Sequence, residues 1–103
     1  MWRFWKSRRA EKRDLQRPEG LSIYGYPQCP FCRRVLNSAS FLGIELPLRN
    51  TLEDPEHRQA LQDAMGRTTV PVLLIEGEGG DAKWLPESAE IVRYLTERFR
   101  SPD

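Results

Sequence analysis

Between Leu21 and Tyr26 the chain runs Leu-Ser-Ile-Tyr-Gly-Tyr, an apolar stretch that predicts a first strand. From Pro30 the spacing changes. Val35, Leu36, Ala39 and Leu42 recur at the period of a helix with one buried face, and Gly43 supplies its stop. Ile44 to Arg49 alternates and predicts a second strand. After the linker Asn50-Thr51-Leu52-Glu53, Asp54-Pro55 offers a capping side chain and a first-turn proline for a second helix. Ala60, Leu61, Ala64 and Met65 form its inner face, and Gly66 ends it. Val70 to Ile75 is nearly all apolar, with Pro71 inside it, and predicts a short buried strand. Glu76 to Asp81 is turn-forming, so Ala82 to Leu85 is expected to return antiparallel. Ile91, Val92, Leu95 and Phe99 mark the inner face of a third helix, entered near Pro86-Glu87-Ser88. The expected order is β-α-β-α-β-β-α, an α/β chain without internal repeats.

Both cysteines fall at the junction of the first strand and first helix, in Tyr26-Pro27-Gln28-Cys29-Pro30-Phe31-Cys32. The first amides of a helix have no partner within it and the dipole is positive there, which favours a thiolate on Cys29 over the thiol. Cys32 lies one turn along the same face, close enough to close a disulfide with a small rotation. Pro30 suits the first turn because its missing N–H costs nothing there. Thiol–disulfide exchange is therefore the leading chemistry for the pair. A buried structural pair and a zinc site remain open. Zinc is disfavoured because only His57 could join the cysteines, and His57 is expected on the surface, far from them. No resident metal is expected.

The charge is uneven. Residues 1–17 carry seven basic side chains against two acidic ones, a net of +5, while the rest of the chain is mildly acidic. Nucleic acid is thus not an expected partner of the folded part. The first residues also hold Trp2, Phe4 and Trp5, so contact of residues 1–17 with an anionic membrane surface stays open beside a solvated extension. No apolar run approaches the ~18 residues of a membrane span, and the start lacks a secretory apolar block. A reducing cytoplasmic setting is expected, where two closely spaced cysteines point to redox work. The 103 residues suit one domain over residues 21–103 behind a basic aromatic N-terminal extension over residues 1–20.

Cys29-Pro30-Phe31-Cys32 after the first strand, with Thr69-Val70-Pro71 before the third, resembles the thioredoxin fold and within it the glutaredoxins. The resemblance runs from about Leu21 to Phe99. It implies a four-stranded mixed sheet flanked by helices, a cis Val70-Pro71 bond, and a Val70 backbone that meets the cysteine part of glutathione beside Thr69. It also implies that Arg67 contacts the glycine carboxylate of the tripeptide, the alternative being a solvated loop arginine. The ending departs from glutaredoxins. Leu85-Pro86-Glu87-Ser88-Ala89-Glu90-Ile91 looks like the N-terminal domain of glutathione transferases, in which Glu87 and Ser88 would hold the γ-glutamyl end. Those enzymes need a further helical domain, which is not expected within this length.

The resemblance implies a glutathione-dependent thiol–disulfide oxidoreductase that takes glutathione as co-substrate and acts on disulfide or glutathionylated proteins. Cys29 would attack; a second glutathione or Cys32 would resolve, both routes being open, as is an iron–sulfur cluster bridged across a dimer with glutathione completing its ligands, of the kind some glutaredoxins hold. Another class remains: a non-catalytic glutathione-binding or redox-sensing module. Arg33 and Arg34 are candidates to favour the Cys29 thiolate through space. Tyr26 and Phe31 could wall the sulfur, with a core position expected for Phe31.

Overall fold

The computed structural model describes residues 15–100. Strands β1 (Leu21–Gly25), β2 (Leu48–Asn50), β3 (Val72–Glu76) and β4 (Ala82–Pro86) form one sheet in the order β2-β1-β3-β4. β1 is parallel to β2 and antiparallel to β3, and β4 is antiparallel to β3. Helices α1 (Pro30–Phe41), α2 (Pro55–Met65) and α3 (Ser88–Phe99) occupy the connections and the end. This is the mixed topology that the thioredoxin resemblance implies.

Strand alternation divides the core in two. Leu21 and Ile23 of β1 and Leu73 of β3 face α1 and α3, where they pack on Val35, Ala39, Ile91 and Leu95. The intervening positions, Tyr24 of β1 with Val72 and Leu74 of β3, face the other way and pack on Leu61 of α2. Ile23, Leu61, Leu73, Ile91 and Leu95 are each fully buried. Each such side chain is worth about 1.5–3 kcal/mol of transfer free energy, so both faces of the central strands contribute. The period of two along β1 and β3 is what lets one sheet carry two helical layers.

The helix ends follow their residues. Asp54 caps α2 by accepting from the Glu56 N–H at 2.9 Å, and Pro55 takes the first turn. Gly66 closes it in the left-handed conformation, at φ 76°. Asn50 prepares this turn by accepting from the Leu52 and Glu53 amides.

Several boundaries differ from the sequence pattern. The second strand is not Ile44–Arg49 but Leu48–Asn50; Ile44 instead forms an isolated parallel bridge with Gln16, and Leu46 sinks into the core. An alternating pattern reports which side chains are buried, not whether a neighbouring strand is there to pair with. Pro71 precedes β3 rather than lying inside it, because proline has no amide for the ladder. A short 3₁₀ turn, Glu78–Gly80, occupies the connection between β3 and β4. His57 is half-buried rather than on the surface: its ring meets Tyr24 edge-on at 5.9 Å, and its Nε2 lies 3.4 Å from Asp54. Within residues 1–20, the part from Leu15 onward is described and is tied to the domain through Gln16. The aromatic and basic residues 1–14, and the possible membrane contact with them, lie outside the described residues. Among the described residues no helix is long and apolar enough to cross a membrane.

Glycine stands at position 25, the last residue of β1, for a steric reason. A Cβ there would overlap the Cys32 sulfur and come within 3.7 Å of Val70 Cβ. Gly25→Ala is expected to cost about 1–3 kcal/mol in denaturant unfolding through overpacking. Cys32→Ala in the same chain should recover part of that loss; additive costs in the double-mutant cycle would show that the sulfur is not the obstacle.

Candidate functional site

Tyr26, Pro27 and Gln28 turn the chain from β1 into α1, with the Cys29 N–H donating to the Tyr26 carbonyl at 3.2 Å. Cys29 is the N-cap of α1 in extended conformation, and its carbonyl accepts from the Arg33 N–H at 3.0 Å. Its side chain makes no capping bond to the first turn of α1. Both cysteines are free thiols, Cys29 half-buried and Cys32 fully buried. Arg33 and Arg34 are exposed on the first turns of α1.

Burial pushes the Cys32 thiol up from about 9 to about 11. The backbone at Tyr26 acts in the opposite direction, and a hydrogen bond and charge interaction with Cys29 add to the rise. The two cysteines are therefore unlike: one sulfur sits at a helix start, the other is enclosed against Gly25 and stays protonated.

Val70, whose bond to Pro71 is cis, stands next to this enclosure and also borders a cavity of about 310 Å³. The cavity wall gathers Arg67, Thr69, Val70, Pro71, Glu87 and Ser88, all six of the side chains that the sequence resemblance selects for glutathione. They come from the loop after α2 and the junction of β4 with α3. Phe31, Met65, Val72 and Pro86 complete the lining. Phe31 is not a core aromatic. It is 58% exposed and presents its ring to the cavity, because its place after the N-cap turns it away from the α1 face that packs on the sheet. Met65 could have been found as the last residue before the Gly66 stop; Val72 and Pro86 carry no signal beyond those of strand residues.

Glu87 and Ser88 reach the cavity through backbone conformation. Glu87 is the N-cap of α3 at φ 75°, the only non-glycine residue with positive φ among the described residues. Such a conformation costs on the order of 1–3 kcal/mol and persists only where the surroundings fix it. The Glu87 side chain makes no capping bond to α3, so the first amides of that helix take no partner from it. The cavity thus has an exposed guanidinium, Arg67, contributed by one loop and a helix N-terminus contributed by another, with apolar walls between. Among the described residues no group of three or more His, Cys, Asp or Glu side chains is arranged to hold a metal.

The Cys32 proton links this site to stability. Between about pH 9 and about pH 11 the folded chain keeps a proton that the unfolded chain releases, so stability falls as pH rises through that window. Below it both states hold the proton and the contribution is fully present. Denaturant midpoints measured across that range should fall for the native chain and fall less for Cys32→Ala; equal slopes would place the alkaline loss elsewhere.

A family model described as the glutathione S-transferase N-terminal domain matches residues 23–103. No curated protein matches the chain. Among solved structures, maleylacetoacetate isomerase from Anaeromyxobacter dehalogenans, with bound dicarboxyethyl glutathione and citrate in its active site, is 27% identical at a TM-score of 0.60. The alignment covers 80% of this chain and 38% of the isomerase. A trimeric glutathione transferase of Leishmania is 28% identical at a TM-score of 0.65, over 78% of this chain and 18% of that one. Glutathione transferase Omega 3C of Trametes versicolor, 21% identical, shares the fold over 93% of this chain and 40% of its own, at a TM-score of 0.62. The chain spans well under half the length of these proteins. With the family model matched across most of its residues, over the same segment that forms the sheet and the cavity, the chain belongs to the glutathione S-transferase N-terminal domain family.

Proposed function

We propose that this chain is a glutathione-dependent thiol–disulfide oxidoreductase of glutaredoxin type, acting through Cys29. The observation that supports the reading is a half-buried free Cys29 at the N-cap of α1, two residues before Phe31, which lines the cavity that gathers the candidate glutathione residues; the cysteines themselves are not in its wall. The cavity volume, about 310 Å³, is at the lower end of the range of roughly 300–1,000 Å³ usual for small-molecule sites and suits a ligand of tripeptide size. A solved form of the related maleylacetoacetate isomerase has glutathione bound in its active site, which supports the same ligand here.

In this reading the glycine carboxylate of glutathione pairs with Arg67, its cysteine lies along the Val70 backbone, and its γ-glutamyl end meets Glu87, Ser88 and the α3 amides. These contacts hold the glutathione sulfur toward Cys29, which is a positioning effect on rate. The Cys29 thiolate attacks the glutathione sulfur of a glutathionylated protein. The Cys29–glutathione disulfide forms, the original disulfide breaks, and the protein thiolate leaves and takes a proton from solvent. A second glutathione thiolate then attacks that disulfide, releasing oxidised glutathione and restoring Cys29.

Burial that holds the proton on Cys32 works against the alternative resolving step, attack by Cys32. A thiol that titrates near 11 is ionised to only about one part in ten thousand at pH 7. When Cys29 is in the mixed disulfide its charge is gone, which removes one contribution to that rise but leaves the burial. The one-cysteine route is therefore favoured, in a reducing compartment such as the cytoplasm where glutathione is plentiful. Family membership alone favours a second reading, addition of glutathione to a small electrophile; the cysteine pair favours exchange.

The test is a coupled assay with glutathione, glutathione reductase and a glutathionylated substrate. Cys29→Ser should reduce turnover by at least about a hundredfold, the scale of losing an activated nucleophile. Cys32→Ser should keep deglutathionylation within a few-fold while slowing reduction of an intramolecular protein disulfide. Equal loss in both variants would contradict these roles. Binding of glutathione without turnover would leave the non-catalytic module, and turnover with an electrophile but not a disulfide would favour addition.

A further inference from the structure

Helix α1 carries no acidic side chain along its 12 residues, yet its first turns hold two exposed arginines, Arg33 and Arg34. Neither takes part in an ion pair among the described residues, whereas Arg17 and Arg93 both do. The two arginines lie on different sides of the helix. Buried Cys32, Val35 and Ala39 mark the side that packs on the sheet. At about 100° of turn per residue, Arg34 falls on the same flank as Phe31, with Cβ atoms about 5–6 Å apart, while Arg33 lies nearly opposite Phe31. Phe31 is 58% exposed and its ring borders the cavity, so it forms the rim on the α1 side. An aromatic rim and an unpaired guanidinium thus stand next to each other.

The consequence for the substrate rests on the exchange reaction proposed above. The cavity is of tripeptide size, so glutathione fills it, and a peptide joined to the glutathione sulfur must lie outside. When the Cys29–glutathione disulfide forms and the glutathione–peptide disulfide breaks, the peptide thiolate departs past the rim and takes a proton from solvent. Cys29 lies two residues before Phe31, so residues flanking the departing sulfur come within reach of that ring and of Arg34. The other charged groups at the cavity are already engaged in that reaction, Arg67 by the glycine carboxylate and Glu87 by the γ-glutamyl end. In an extended peptide, residues two apart share one side and stand roughly 7 Å from each other, close to the Phe31–Arg34 spacing.

We propose that Phe31 and Arg34 select the protein substrate, favouring a glutathionylated cysteine flanked by an apolar residue with an acidic residue two positions from it. Phe31 covers the apolar side chain, and Arg34 pairs with the carboxylate. Arg33, equal in charge but on the other side of α1, takes no part.

The test compares glutathionylated peptides in the coupled assay, with the mixed disulfide of glutathione and 2-mercaptoethanol as a reference that has no flanking residues. The readout is the ratio of kcat/KM for a peptide to that for the reference, which cancels any change in Cys29 itself. The peptides hold leucine and aspartate, leucine and lysine, or glycine and aspartate at the two flanking positions. In the native chain, aspartate should be preferred over lysine by roughly fivefold, and the preference should weaken as ionic strength rises. Arg34→Glu should reverse it, and Arg33→Glu should keep it. Leucine should be preferred over glycine by about tenfold, a preference lost in Phe31→Ala and largely retained in Phe31→Leu. Peptide ratios that are the same in the native chain, Phe31→Ala and Arg34→Glu would overturn the proposal and leave the exchange reaction standing. So would equal effects of Arg33→Glu and Arg34→Glu, the mark of a general positive field. Turnover of neither the peptides nor the reference would overturn the exchange reaction, and this proposal with it.

Discussion

The contact between the Cys32 sulfur and the backbone of Gly25 is the constraint on which this molecule is arranged. A side chain at Gly25 would occupy the space the sulfur takes, so β1, the first turn of α1 and the Val70 loop can approach one another only as closely as that glycine allows. The approach buries Cys32, and burial keeps its thiol protonated. It also leaves Cys29, one turn earlier, half-buried as the N-cap of the helix. One packing contact thus produces two cysteines of different character.

The cavity that Phe31 and Val70 border is assembled largely by helix ends. α1 contributes Phe31 from its N-terminal turn, α2 contributes Met65 at its last turn, and α3 contributes Glu87 and Ser88 at its start. None of these elements could form the wall alone. The two-sided core holds them in place: Ile23 and Leu73 anchor α1 and α3 on one face, and Tyr24, Val72 and Leu74 anchor α2 on the other. Rigid, fully packed strands are what allow side chains from distant parts of the chain to line one small volume. The family match covers this same span, while most of the length of the related structures has no counterpart in it.

Much of the architecture was legible because its signals are local. The Asp54-Pro55 cap, the Gly43 and Gly66 stops and the apolar periods of all three helices depend on neighbours within a few residues, and the helices lie where those signals put them. The short second strand was misplaced because alternation from Ile44 to Arg49 records burial, and pairing is supplied by β1, a partner remote in sequence. Phe31 was misjudged for a related reason. An aromatic residue between two cysteines looks like core material, but its direction is set by the helix it begins, and that helix turns it outward. The Tyr24–His57 contact likewise joins a strand to a helix that no local pattern connects.

By itself the sequence determined the element order, the helix limits and the place of the cysteine pair at the start of α1, since hydrophobic period, capping residues and cysteine spacing act over one or two turns of chain. Tertiary structure decided what those residues could do together. It enclosed Cys32 while leaving Cys29 at the helix start, set Glu87 at positive φ where α3 opens onto the cavity, and brought Arg67 and Ser88 into one wall across some twenty residues of chain. Burial, desolvation and the meeting of helix ends are properties of the packed molecule, and no stretch of residues carries them before the sheet closes.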